Sequence, residues 1–173
     1  AMARGAEGLE HVCEHGHVHT DSPTVGGVPA MEMTKWFDTN YHYIVPEFTA
    51  DQAFRLSSSK PVDEFLEAKP LGVHTRPVLV GPVTFLKLGK AKTGDFDTLS
   101  LLPRLLPVYA DILKRLHAAG ADWVQIDEPV LVLDLSDTER AALKTAYAEL
   151  VKAAPGLKIL VATYFGALDG NLD

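Results

Sequence analysis

Cysteine is almost missing from this chain: Cys13 stands alone among 173 residues. A single thiol excludes an internal disulfide and any CxxC site, and it fits a reducing compartment. Metal chemistry would have to lean on histidine. Long apolar runs are missing too. No stretch approaches the ~18 residues of a membrane helix, and the opening AMARGAEG lacks the hydrophobic core of a secretory signal, so the expectation is a cytoplasmic protein without a membrane partner. Basic charge is the scarcer sign, with 16 Lys and Arg against 23 Asp and Glu, a net charge of -7 and a pI near 5.4. That balance argues against a nucleic-acid partner, because phosphate contacts need a basic face. An anionic substrate would be repelled overall and would need a local cationic anchor. No G-x-G-x-x-G fingerprint follows any apolar run, since Gly81-Pro82-Val83-Thr84 lacks the spacing. A nucleophile triad and a phosphate loop are likewise missing.

What remains is an ordinary globular composition, 47% hydrophobic and 23% charged with a mean hydropathy of +0.05, at a length that suits one domain. Residues 1–30 read as a flexible, His-containing loop or insert, because Gly, Pro, Ser and His alternate there with no sustained apolar period. The ordered fold is expected over 31–173. From Arg76 onward apolar strands alternate with amphipathic helices, the signature of βα units and a parallel sheet. Strands are expected at Pro77–Val80, Ala121–Ile126 and Leu157–Ala162, with a fourth read in Met31–Phe37. Gly81-Pro82 stops the first, Asp127-Glu128-Pro129 the second, and Thr163-Tyr164 follows the third.

Between the first two strands, Leu102, Leu105, Leu106, Tyr109, Ile112, Leu113 and Leu116 recur at helical steps. The regular helix is expected to start near Arg104, because Pro103 and Pro107 fit only near a first turn, and to end on Gly120. Ser136-Asp137-Thr138-Glu139 is a capping-box pattern, with a helix behind it that buries Leu143, Ala146, Tyr147, Leu150 and Val151. Both a (βα)8 barrel and a doubly wound sheet accommodate such units. The missing nucleotide fingerprint favours the barrel, and since a complete one needs ~250 residues, the fold class expected is α/β, a partial (βα)8 TIM barrel.

Chemistry concentrates in Glu32–Phe48, EMTKWFDTNYHYIVPEF, where ionisable side chains are interleaved with aromatics without a helical or strand period. Buried polar groups there would need partners, and exposed aromatics are costly. A polar substrate over an aromatic floor would satisfy both, with Lys35 placed to be the cationic anchor. At the strand ends, Asp127 and Glu128 are candidates by position, although adjacent strand residues point to opposite sides, so at most one faces the axis. His11, Cys13, His15 and His17, with His19, have residue types that suit zinc. Their alternate spacing in a Gly-containing segment preforms no tetrahedron, so they are read as incidental, weak metal ligands.

The same segments, EMTKWFDTNYHYIVPEF with RPVLVGPVTFLKLGK, FDTLSLLPRLLPVY, WVQIDEPVLVLDL and ATYFG, closely resemble the N-terminal barrel of cobalamin-independent methionine synthase, over all but about residues 6–28. The resemblance implies a portion, about half, of that barrel. It implies transfer of a methyl group from 5-methyltetrahydropteroyl polyglutamate to homocysteine, with Lys35 binding the glutamate tail of the folate and Asn40, Tyr41 and His42 shaping the same surface. Asp127 is a weaker candidate: an IDEP motif occurs in both barrels of the family, and the homocysteine contact belongs to the other copy. The family zinc is held there by His, two Cys and Glu, a set this chain does not contain, so the isolated chain is expected to be inactive. Its partners would be the folate substrate and the remainder of the enzyme or a second copy. Two alternatives stand beside this reading: a non-catalytic half-barrel that binds an anion or self-associates, and a related barrel with another methyl acceptor.

Overall fold

The computed structural model describes residues 31–171. Three short strands, β1 (Met33–Lys35), β2 (His42–Ile44) and β3 (Glu47–Phe48), precede helix α1 (Lys60–Ala68). Then come β4 (Val78–Val80), α2 (Pro82–Lys87), β5 (Lys90–Ala91), α3 (Leu102–Ala119), β6 (Trp123–Asp127), α4 (Asp137–Ala153) and β7 (Lys158–Ala162). The three expected strands are present within two residues of their sequence bounds. They form one parallel sheet in the order β4-β6-β7, in a register that aligns Val80, Asp127 and Ala162. The fold is mixed α/β.

Leu79, Val124 and Ile126 point from the sheet into the core, against Leu105, Ile112, Leu113 and Leu116 of α3 and Leu143, Ala146 and Leu150 of α4. Helix α3 carries the expected stripe. It starts at Leu102, two residues earlier than expected, because a 3-10 turn at Thr98–Leu101, capped by the Asp97 carboxylate on the Leu99 amide at 2.9 Å, feeds directly into it. Pro103 then sits in the first turn, where a missing N–H leaves nothing unpaired. Pro107 lies inside the helix. Gly120 ends it in the left-handed region at φ 93°, and the Lys69 ammonium donates to the nearby Ala119 carbonyl at 2.8 Å.

Helix α4 opens on a complete capping box: Ser136 Oγ accepts from the Glu139 amide while the Glu139 carboxylate accepts from the Ser136 amide at 2.6 Å. Lys87, the last residue of α2, also pairs with Glu139, joining the end of one helix to the start of another. Burial pushes the Glu139 carboxyl up, but the bonds from Lys87 and Ser136 outweigh it and hold the group below the usual carboxylate range. Val151 departs from expectation, being 59% exposed. The buried stripe runs through Leu143, Ala146 and Leu150, so Val151 lies on its flank. Tyr147, on the same flank, reaches inward only through its longer ring.

The fourth strand read in Met31–Phe37 needs a larger correction. Its ordered part, β1, pairs antiparallel with β2 in a separate hairpin, aligning Met33 with Ile44 and Lys35 with His42. A local turn decides this. Thr39 Oγ1 donates to the Trp36 carbonyl at 2.6 Å, and the Trp36 amide donates to the Tyr41 carbonyl at 2.7 Å, folding the chain back at once. Parallel pairing would have needed a crossover. Helices α1 and α2 and the two-residue parallel pair β3–β5 were not anticipated. Among the described residues no helix is long and apolar enough to cross a membrane.

Candidate functional site

At the C-terminal edge of the parallel sheet, the Asp127-Glu128 pair divides its two carboxylates between opposite environments, as adjacent residues leaving a strand must. Glu128 is fully buried on the helix side. Its carboxylate accepts from the Val83 amide at 3.3 Å, the Thr84 amide at 2.8 Å, the Thr84 hydroxyl at 2.6 Å and the Tyr147 hydroxyl at 3.2 Å. One side chain thus ties β6, the start of α2 and the middle of α4 together. Burial nevertheless raises its pKa above the ordinary carboxylate value, against the lowering effect of those hydrogen bonds. The same burial, with the Glu128 charge beside it, raises the Tyr147 hydroxyl far out of its usual range.

Asp127 faces the other way and is half-buried. It accepts from Gln125 Nε2 at 2.7 Å and from the Tyr164 hydroxyl at 3.4 Å, while Arg76 donates to Gln125 Oε1 at 2.8 Å. Desolvation and the Asp127 charge raise the Tyr164 pKa, against a smaller lowering effect of the Trp36 side chain. A polar chain therefore runs from Arg76 through Gln125 and Asp127 to Tyr164, whose hydroxyl also feels the Trp36 side chain of the β1–β2 hairpin.

Aromatic rings build the rest. Trp36 meets Phe37 and Tyr43 edge-on, each at 5.4 Å between centroids, Phe37 lies 6.0 Å from Phe165, and Tyr164 meets Phe165 at 4.5 Å. Phe37 and Phe165 both hold positive φ, 50° and 79°, a region that bulky side chains rarely occupy. Such backbone persists only where the surroundings over-determine it, and strained residues of this kind collect at ligand clamps and switch regions.

The hairpin presents the sequence-predicted binding residues outward. Lys35 and His42 are exposed neighbours across the two strands, Asn40 is exposed, and Tyr41 is 77% exposed. Among the described residues Lys35 makes no ion pair, with Asp38 or with any other carboxylate. The hairpin is anchored instead by the Lys90 ammonium on both Glu32 oxygens, at 2.6 and 2.9 Å, and by the Tyr43 hydroxyl donating to the Leu88 carbonyl at 3.1 Å. Lys35, Asn40, Tyr41 and His42 thus share one hairpin, and Asp127 reaches it only through Tyr164. His11, Cys13, His15 and His17 lie outside the described residues. Among the residues that are described, no group of three His, Cys, Asp or Glu side chains is arranged to hold a metal, so they do not fit a zinc centre.

Sequence reasoning read Gly81 as a strand stop and missed its closest neighbour. A Cβ there would stand 2.0 Å from Glu128 Cδ, so glycine is what lets the carboxylate approach the start of α2. Tyr164 and Gln125 were also missed as partners of Asp127. The only signal was position, since Gln125 lies two residues before Asp127 on the same face of β6 and Tyr164 lies just past the end of β7.

Fold and site together define an α/β domain that gathers polar and aromatic loops at the C-terminal edge of a parallel sheet. The chain belongs to the cobalamin-independent synthase family, as its N-terminal domain, whose family model matches residues 1–173. It is 63% identical over its full length to a 5-methyltetrahydropteroyltriglutamate--homocysteine methyltransferase of Mesorhizobium japonicum. It is 61% identical, again over its full length, to the enzyme of the same name from Nitrobacter winogradskyi. It spans 22% of the length of each of these curated relatives. A solved structure of a putative vitamin-B12-independent methionine synthase from Listeria monocytogenes is similar in fold alone. That likeness has 14% identity and a TM-score of 0.50, and it covers 66% of this chain and 39% of the other.

Proposed function

We propose that this chain supplies folate-tail binding and scaffold to a cytoplasmic methyltransferase that moves a methyl group from 5-methyltetrahydropteroyl polyglutamate to homocysteine. In this reading the three parallel strands are part of a (βα)8 barrel, and the residues that activate the thiol lie outside the chain. The observation that carries the binding role is Lys35, an exposed ammonium without a carboxylate partner among the described residues, on an anchored hairpin that also carries the paired rings of Trp36 and Tyr43. A chain of carboxylates is the ligand that such a cation holds by charge-assisted hydrogen bonds. Asn40, Tyr41 and His42 border it. Asp127, already engaged by Gln125 and Tyr164, is assigned no direct ligand contact.

Calorimetry with γ-linked triglutamate tests the assignment. The full chain is expected to bind it, more weakly as salt rises, and Lys35→Ala is expected to lose about tenfold or more in affinity, the scale of one hydrogen bond to a charged group. Equal affinity in the variant would refute the Lys35 role. The same preparation is expected to show no methyl transfer to homocysteine on its own.

A second reading has its own observation. Val78, Val80 and Trp123 are exposed apolar side chains on the face of the sheet turned away from α3 and α4. A non-catalytic half-barrel that closes by self-association would cover them.

A further inference from the structure

We infer that Asp127 and Tyr164 are positioning residues, a hasp that fixes the Trp36 end of the hairpin and thereby holds Lys35 where it can meet its ligand. The functional consequence rests on the tail-binding role proposed for Lys35; the hasp itself rests on contacts at the sheet edge. Asp127 ends β6, the central strand of the parallel sheet, and both its neighbours in register are strand residues, so its carboxylate has a fixed origin. Gln125, itself held by Arg76, supports one carboxylate oxygen at 2.7 Å, and the Tyr164 hydroxyl reaches the other at 3.4 Å. Tyr164 leads into Phe165, whose ring packs on Phe37, the residue after Trp36. The hairpin turn and the segment after β7 are therefore joined by the ring contact of Phe165 with Phe37, and the Trp36 side chain acts on the Tyr164 hydroxyl beside it.

Both backbones pay for this arrangement with positive φ at a phenylalanine. Residues in that region persist only where other contacts outweigh the backbone strain. The hasp is such a contact. Lys35, one residue before Trp36, is held by its backbone pairing with His42, and its side chain has no ion pair among the described residues, so where the ammonium sits follows the backbone at that end of the hairpin.

Fluorescence in the full chain reads the hasp directly. The chain has two tryptophans, and Trp123→Phe leaves Trp36 as the sole indole while keeping a ring beside Lys158. In that background Tyr164→Phe, which keeps the ring contact with Phe165, is expected to red-shift Trp36 emission and raise its quenching by acrylamide. Asp127→Ala is expected to do the same, and the double variant no more than either alone, because both remove one contact. Affinity for γ-linked triglutamate should fall about fivefold in each, the scale of one hydrogen bond, with the thermal midpoint of Tyr164→Phe little moved. Unchanged Trp36 emission and quenching in Tyr164→Phe would overturn the hasp, as would additive effects in the double variant. Should Trp36 respond as expected while the parent chain ignores triglutamate, the hasp stands and the role given to Lys35 falls.

Discussion

At Gly81 and Glu128 the requirement for one residue type is set by a single close approach. Adding a methyl group at Gly81 would place it within 2.4 Å of all three carboxylate atoms of Glu128, which is clamped by α2 and α4 and cannot swing away. Gly81→Ala should therefore cost about 1–3 kcal/mol, the range for overpacking a filled interior, read as a lower urea midpoint at unchanged slope. The Glu128 carboxyl adds a pH dependence. Its folded pKa is raised above the 4.5 of the free group, so between those values the folded chain binds the extra proton. Its contribution to stability is fully present below 4.5 and is lost as pH rises through the folded value. Glu128→Gln cannot titrate. Denaturant melts across a pH series should show wild type gaining on that variant as pH falls from neutral toward 4.5, and a constant difference would show that burial does not govern this carboxyl.

Among the elements, α4 shows how a short sequence pattern becomes structure. Ser136 and Glu139 sit three residues apart and close the capping box, whose energy is local. Ser136→Ala should cost about 1 kcal/mol, the usual worth of an N-cap, measurable as a lower thermal midpoint. Glu139 does more than the motif implies, since it also takes Lys87 from α2. Removing Ser136 therefore loosens the cap while the link between the two helices remains. The β1–β2 hairpin is the contrary case. Its apolar and polar residues do alternate loosely, but the Thr39 turn, not the strand pattern, chose its partner.

For the whole molecule, the three-stranded sheet has helices on one face and open edges at β4 and β7 among the described residues. Val78, Val80 and Trp123 on the bare face, with unpaired strand edges, favour association. Sedimentation velocity should accordingly find the isolated chain concentration-dependent; a compact monomer at every concentration would argue against a partial barrel.

The stripe of α3, the Gly120 stop, the capping box and the three parallel strands were legible in the chain because each depends on residues within a turn or two, or on an apolar run long enough to announce itself. Lys35 was legible as a cation among aromatics for the same reason. The Glu128 clamp was not, since Val83 and Glu128 stand 45 residues apart and nothing local marks their meeting. Nor was the union of Trp36 with Tyr164, which depends on where β7 ends relative to the hairpin. The sequence by itself determined that α3, α4 and the three strands of the larger parallel sheet form and which segment mixes charge with rings. The tertiary structure alone decided which carboxylate is buried and which faces the hairpin, because hydrogen bonds and close packing act through space between segments whose separation along the chain carries no signal.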